Sequence, residues 1–456
     1  MNIAITATPP AVADKETRER ISALVEYVLG EAKKSGASSA EAGANVNQGL
    51  SVTVRLSEVE TVEHTRDKGM GVTVYFGNRT GSASTTDFSP EALRETVRAA
   101  CTIAKYTAED DCAGLADPER LAKDIPDLDL HHPWNPGVDR AIELARVAET
   151  TARQFDQRIT NSEGASLSTH EGLEVYGNTH GFLGAVATTR HSLSASVIAQ
   201  DDSGMQRDYW YTVARDARGL ESPESVGREA ARRSVRRLSS RKLSTRECPV
   251  LYEAMVASSL LSHFIGAVRG TSLYRHASFL LDHLGKPVFT DFVRIHEQPH
   301  LKGAAGSAAF DSEGVATQAR DLVRGGILQG YVLDSYSARK LKMTTTGNAG
   351  GVHNLTIAPG PENLDLAGLL EHMHTGLLVT ELIGFGVNTV TGDYSRGAAG
   401  FWVENGEIQY PVEEITVAGN LRDIFRRIRA VGNDVDNRGN IRSGSILIES
   451  MTVAGN

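Results

Sequence analysis

The sequence predicts an α+β protein of two domains. Helices of the N-terminal part should lie on a mostly antiparallel sheet, and the C-terminal part should be β-rich, with hairpins and short helices. Three observations carry this expectation. Apolar residues recur at helical spacing in capped stretches of the first half. Period-two alternation takes over between those stretches. A hairpin is written in turn chemistry around Asn405-Gly406. With 456 residues the chain is long enough for two separate cores. The change of character before Pro249 divides it into 1–245 and 246–456.

The elements follow in order. Asp14 to Ser35 reads as an amphipathic helix, with Ile21, Leu24, Val25, Val28, Leu29 and Ala32 on one face and Gly36 as the stop. Leu50–Leu56, Val59–Thr65 and Gly71–Phe76 read as short strands of a meander. Ser89-Pro90 opens a second helix in the preferred capping order, with Leu93, Val97, Cys101 and Ala104 on its inner face. Cys101 is therefore read as a small core residue, not a nucleophile. Residues 113–137 hold four prolines and the pair His131-His132, a crossing loop in which the histidines point apart and are solvated. A helix from Val138 to Phe155 follows, then strand-rich sequence from Ile159 to Val213. Ser222-Pro223 starts a helix bearing Arg228, Arg232, Arg233, Arg236 and Arg237, followed by Arg241 and Lys242. No aromatics are interleaved for stacking, so the arginines are read as a solvated face near the domain boundary.

Composition narrows the function classes. The chain is 40% hydrophobic and 23% charged, an ordinary globular balance. A net charge of −10 argues against a general nucleic-acid or acidic-membrane role. No run approaches the length of a membrane span, and the first residues lack the pattern of a secretory signal. Cys101, Cys112 and Cys248 are too few and too scattered for a disulfide framework or a zinc ribbon. The expected compartment is the cytoplasm.

At 400–410, Gly400-Phe401-Trp402-Val403-Glu404 and Glu407-Ile408-Gln409-Tyr410 flank Asn405-Gly406. Phe401 and Val403 share one face and Trp402 and Glu404 the other, so one side of the ribbon is expected to be buried. Ahead of it, Gly392-Asp393-Tyr394-Ser395-Arg396-Gly397 reads as a polar loop. This stretch, extended as VTELIGFGVNTVTGDYSRGAAGFWVENGEI, resembles the C-terminal signature of the PmbA/TldE branch of the TldD/PmbA bacterial metallopeptidases. So do LLDHLGKPVF, AAFDSEGVATQARDLV, YVLDSYSARKLKMTTTGNAGGVHNL and the C-terminal GNDVDNRGNIRSGSILIESMTVAGN. The close match covers about residues 250–456.

The catalytic TldD branch carries a zinc-binding His-Glu-x-x-x-His helix after two leucines, which supplies imidazole ligands and an acidic group for the bound water. The corresponding stretch here is Leu260-Leu261-Ser262-His263-Phe264-Ile265-Gly266-Ala267. Ser262 and Ala267 stand at the histidine positions and His263 at the glutamate position. The cysteine ligand near the C-terminus is also missing, where Arg442-Ser443-Gly444 stands. The resemblance therefore implies a subunit without its own metal, paired with a TldD-type subunit that holds the zinc. The complex would act on unfolded peptides, including peptide-antibiotic precursors and labile antitoxins. Alone, the chain is expected to form a homodimer, because partner and chain share a fold.

Other chemistry finds little support. His296-Glu297-Gln298-Pro299-His300 fits the letters of a zincin motif, but Pro299 breaks the helix that motif needs. His170-Glu171 has Glu174 where a second histidine is required, and Glu371-His372-Met373-His374 reads as a connecting loop. No nucleophile elbow, phosphate loop or dinucleotide fingerprint is present. Arg275, Tyr331, Arg339, Asp393, Tyr394 and Arg396, in glycine-rich loops beside expected strands, are the candidates for lining a peptide chamber. The hairpin 400–410 and a strand around Tyr331–Leu333 could hold a peptide by edge addition. Two alternatives stand beside this reading. One is a self-sufficient metallopeptidase drawing on His296, His300, His353, His372 and His374. The other is a regulatory binding protein that uses the arginine helix.

Overall fold

The computed structural model describes residues 12–455. The first half runs α1 (Lys15–Lys34), β1 (Ser39–Arg55), β2 (Glu58–Phe76), β3 (Arg79–Thr85), α2 (Pro90–Tyr106), α3 (Gly137–Gln154), β4 (Ile159–Asn178), β5 (Leu183–Asp201), β6 (Gly204–Ala214) and α4 (Pro223–Val235). The strands form one antiparallel sheet in the order β3-β2-β1-β4-β5-β6. Local chemistry sets the helix starts: the side chains of Asp14, Ser89 and Ser222 accept from Thr17 N, Ala92 N and Ser225 N.

The expected short meander strands are instead long. β1 and β2 run for 17 and 19 residues and pair along their whole length. The polar and glycine stretch 66–70, expected as a turn between strands, is instead paired with Ala44–Gln48, because a polar side chain on an uncovered sheet face breaks no hydrogen bond. Ala40, Ala42, Ala44, Leu50, Val52 and Val54 are all even-numbered and so lie on one face of β1. α1 and α2 cover one end of that face, α3 and α4 the other. Gly227 of α4 lets this last pair approach: a Cβ there would sit 2.1 Å from the Ala148 carbonyl oxygen.

The second half continues with β7 (Arg246–Tyr252), α5 (Ala254–Val268), α6 (Gly270–Tyr274), β8 (Ile295–Glu297), β9 (Arg320–Arg324), β10 (Ile327–Leu328), α7 (Ser335–Lys340) and β11 (Leu355–Ile357). Then come α8 (Leu366–Met373), β12 (Gly376–Ile383), β13 (Asp393–Glu404), β14 (Glu407–Asn420), α9 (Leu421–Arg426), β15 (Ile428–Val431), β16 (Ile441–Arg442) and β17 (Ile446–Ala454). One sheet has the order β10-β9-β8-β11-β16, the other β14-β13-β12-β7-β17-β15. In the latter, β14 also pairs with β17 through Thr416–Ala418 and Thr452–Ala454. The pairing closes β7, β12, β13, β14 and β17 into a ring, which leaves those strands little open edge. The chain is thus α+β as the sequence predicts, with helices on an antiparallel sheet followed by a β-rich part.

Several local expectations are corrected. The hairpin turns at Asn405 (φ 54°) and Gly406 (φ 79°), as its chemistry requires, but both its faces are covered. Phe401 and Val403 pack with Leu251, Leu369 and Met373, while Trp402 joins the inner core with Val250 and Val412. The expected loop from Asp393 to Gly397 is part of β13, paired with Asn420–Thr416. β13 has a neighbour on each side, so the segment 400–404 offers no edge to a peptide. Tyr331–Leu333 is no strand; Val332 makes a single parallel bridge to Arg269.

The arginine helix is the largest correction. Arg233 is 4% exposed and reaches Asp208 Oδ1 at 3.4 Å and Glu253 Oε2 at 3.3 Å. Arg236 also meets Glu253, and Arg237 joins Asp208 to Glu381 of β12 at 2.5 Å. Arg228 and Arg232 remain on the outside. Charged residues in such numbers suggest a solvated face, but here the acids come from both halves of the chain and turn part of the helix into a buried joint.

Candidate functional site

α5 is an apolar helix whose Leu260, Leu261, Phe264, Ala267 and Val268 enter the core of the second half. Ser262 lies on the opposite side, exposed, and its hydroxyl donates to the Ser258 carbonyl at 3.1 Å. His263, one residue on, is half-buried against the strand ring. Its imidazole meets the ring of Tyr394 edge-on, with centroids 5.9 Å apart at 74°.

β13 supplies the facing wall. Alternation puts Tyr394, Arg396 and Ala398 on the face toward α5, and Asp393 and Ser395 on the other. Tyr394 is 1% exposed. Its hydroxyl is 3.4 Å from that of Tyr252 on β7, which in turn lies 3.5 Å from Met451 Sδ on β17. β12 separates β7 from β13 in the sheet, so this contact crosses the inside of the ring. Burial, then the neighbouring Tyr394, raises the Tyr252 phenol well above its ordinary pKa. Burial also raises Tyr394, opposed by the hydrogen bond from Tyr252 and by the charge of Arg396. The His263 imidazole is pushed down by burial and further by Arg396, which favours its neutral form. His263 Nε2 and Arg396 Nε are both buried without a hydrogen-bond partner.

The structure brings together His263, Tyr394 and Arg396. The other candidates fall elsewhere. Asp393 is exposed and tied to Thr391 and Asn420. Arg275 is exposed, with its guanidinium 5.7 Å from the Tyr274 ring centroid. Tyr331 is 7% exposed, and its carbonyl accepts from Arg320. Arg339 donates to the carbonyls of Cys112, Gly114 and Leu115, which fixes the proline-rich crossing segment to α7.

As metal donors, the α5 residues do not fit a zinc ion. Ala267 offers no donor atom, and Ser262 offers a hydroxyl turned to its own helix, where imidazole, thiolate or carboxylate is needed. Among the described residues, no three His, Cys, Asp or Glu side chains come together in a way that could hold a metal ion. The other candidate histidines lie apart from α5 and from a shared centre. His296 sits in β8, a strand rather than the helix a zincin requires. His300 meets Thr317 Oγ1 at 3.1 Å, and His353 meets the Gly347 carbonyl at 3.1 Å. His372 accepts from Arg429, and His374 ends α8 at φ 64°. His131 and His132 are not solvated as expected: each is half-buried, His131 bonded to Glu171 at 2.8 Å and His132 to the Asp129 carbonyl at 3.2 Å. Cys101 and Cys248 are buried, and desolvation pushes the Cys248 thiol up to about 11, which makes it a poor nucleophile.

Sequence reasoning missed an open cleft of about 1,060 Å³ between the uncovered face of the first sheet and residues 305–312. Gly43, Asn45, Tyr176 and Val186 line one wall, and Ala308 and His353 line the other. Its residues come from segments far apart in the chain, so no motif signals it.

An α+β chain with one helix-covered antiparallel sheet, a closed ring of strands and a histidine-bearing helix beside that ring is a fold shared with known proteins. Models of the PmbA/TldA metallopeptidase match three consecutive stretches: domain 1 over residues 40–104, the central domain over 131–238 and the C-terminal domain over 245–455. The chain is 52% identical to the metalloprotease PmbA of Escherichia coli over 441 residues, 97% of this chain and 96% of that one. A metalloprotease TldD homolog of Haemophilus influenzae is 25% identical over 80% of each chain. Among solved structures, a Bacteroides thetaiotaomicron protein titled a candidate modulator of DNA gyrase superposes with a TM-score of 0.91 at 29% identity, covering 97% of this chain and all of that one. TldE of Thermococcus kodakarensis shares the fold, with a TM-score of 0.81 at 19% identity over 95% of this chain and all of that one. The chain belongs to the PmbA/TldD metallopeptidase family.

Proposed function

We propose that this chain is the PmbA/TldE-type subunit of a two-component zinc metallopeptidase, and that the zinc and the hydrolytic chemistry reside in a TldD-type partner. The observation that carries the reading is the donor set on α5. Where the catalytic branch holds its ligands, this helix presents a serine, a half-buried histidine and an alanine. Helix, fold and leucine lead-in are kept while the ligands are not, as expected of a subunit whose role is architectural.

Its part would be to complete the interface and wall a chamber that admits extended, unfolded peptides. The cleft of about 1,060 Å³ has room for such a chain. Antitoxins and precursors of peptide antibiotics are the proposed substrates, and the cytoplasm is the proposed compartment. Without its partner the chain is expected to form homodimers through the same surface.

Zinc content measured by mass spectrometry on the purified chain, paired with hydrolysis of an unfolded peptide with and without a TldD-type subunit, tests this. The expected result is no zinc and no cleavage alone, with cleavage on mixing. Near one zinc per chain together with cleavage by the chain alone would overturn it.

A further inference from the structure

We infer that Arg396 and His263 form a carboxylate-binding site at the rim of the strand ring. Several arginines withdrawn from solvent end on an acid, Arg233 on Asp208 and Glu253, Arg237 on Glu381, Arg320 on Glu297, and Arg438 on Asp436, while Arg215 ends on the carbonyls of Thr189 and Ala305. Arg396 departs from that pattern. It is half-buried, its Nε has no partner, and its charge is felt by His263, Tyr252 and Tyr394, none of which neutralises it. A guanidinium held this way is costly unless something outside the chain supplies the countercharge.

The chemistry of that group follows from its surroundings. A single planar fork matches one carboxylate, with two parallel N–H···O bonds. His263, its neutral form favoured and its Nε2 unpartnered, adds a third donor in its Nε2–H tautomer without a second positive charge. One cation with neutral donors suits a monoanion rather than a polyphosphate.

The approach to the site is apolar. The loop after β12 runs along β13, with the Ser395 amide donating to the Gly386 carbonyl at 2.7 Å. A Cβ on Gly386 would lie 2.0 Å from the Ser395 oxygen, so glycine sets this closeness. The loop carries Phe385 and Val390, exposed by 97% and 52%, and Ile383, 57% exposed, ends β12 just before it. A carboxylate borne on an extended apolar peptide would find both kinds of contact. The carboxylate can come from the peptide's C-terminus or from an acidic side chain. The peptide as ligand rests on the function proposed above; the carboxylate chemistry rests on the shared face of Arg396 and His263 and their unpartnered nitrogens.

The test uses the full-length chain alone, without zinc or partner, so its failure is distinct from failure of the subunit reading. Three fluorescein-labelled, otherwise apolar hexapeptides are titrated by anisotropy: a free acid, its C-terminal amide, and an amide with one internal glutamate. At least one carboxylate-bearing peptide should bind about tenfold or more tighter than the plain amide, as for a charge-assisted bidentate contact. Preference for the free acid assigns the C-terminus, and preference for the glutamate peptide assigns the side chain. Arg396→Met should abolish the preference, Arg396→Lys should keep part of it, and His263→Gln should lessen it. Equal binding of all three peptides by the unmodified protein, or an undiminished preference in folded Arg396→Met, overturns the inference.

Discussion

Glu313 sits where the first sheet meets the second half. Its carboxylate accepts from the Ser335 amide at 3.0 Å. Burial, outweighing that bond, and then the nearby carboxylates of Asp311 and Asp334 raise its pKa to about 7. In the unfolded chain the group titrates near 4.3. The folded state therefore prefers the protonated acid. Its stabilising contribution is complete below the unfolded value and is lost as pH rises through about 7. Glu313→Gln keeps an acceptor for Ser335 and removes the ionisation. The variant should be more stable than the parent at pH 8 by roughly 3 kcal/mol, and the difference should shrink toward zero below about pH 4. Urea titrations at the two pH values measure both ends. No spacing around Glu313 announces this role, because the groups near it, Tyr75, Tyr176 and Ser335 of α7, are all distant in sequence.

At the scale of elements, α4 shows how far a correct helix assignment can fall short. Its cap, length and alanine face are readable, and Ala230 and Ala231 are fully buried as that pattern requires. Which arginines face inward is not readable, since Asp208, Glu253 and Glu381 lie on β6, between β7 and α5, and on β12. Arg233 holds Asp208 and Glu253 in near-complete burial and lies 5.5 Å from the Trp210 ring centroid. Arg233→Met leaves both acids without this partner and should cost about 3–5 kcal/mol, whereas the exposed Arg228→Met should change stability by about 0.5 kcal/mol or less. Denaturant unfolding of the two variants separates a buried joint from a solvated face.

At the scale of the whole molecule, the two halves are clamped along several seams. α7 reads the crossing segment: Tyr336 and Lys340 both bond Asp110, at 2.7 and 2.9 Å, and Arg339 gathers the carbonyls of Cys112, Gly114 and Leu115. Arg438 bonds the Tyr211 carbonyl at 3.0 Å and stacks on Trp210 and Tyr211. Arg339→Ala should free the segment 107–136 while leaving both halves folded. Limited proteolysis should then nick within that segment at least several-fold faster, with circular dichroism unchanged. If chamber lining were the role of Arg339, cleavage would be unaltered.

The sequence by itself determined the α+β class, the helix starts at Asp14, Ser89 and Ser222, the turn at Asn405-Gly406 and the family. Each depends on chemistry local to a few residues or on long ordered similarity. Only the tertiary structure decided that β1 and β2 run unbroken, that β14 meets β17 to close a ring, and that Arg233 is inside while Arg228 is outside. It alone set Tyr394 and Arg396 beside His263, more than 130 residues apart in the chain, and left two of their nitrogens buried and unpaired. The physical reason is the same throughout. Capping and turn preferences act over three or four residues, whereas burial and ion pairing depend on which distant surfaces the closed fold presses together.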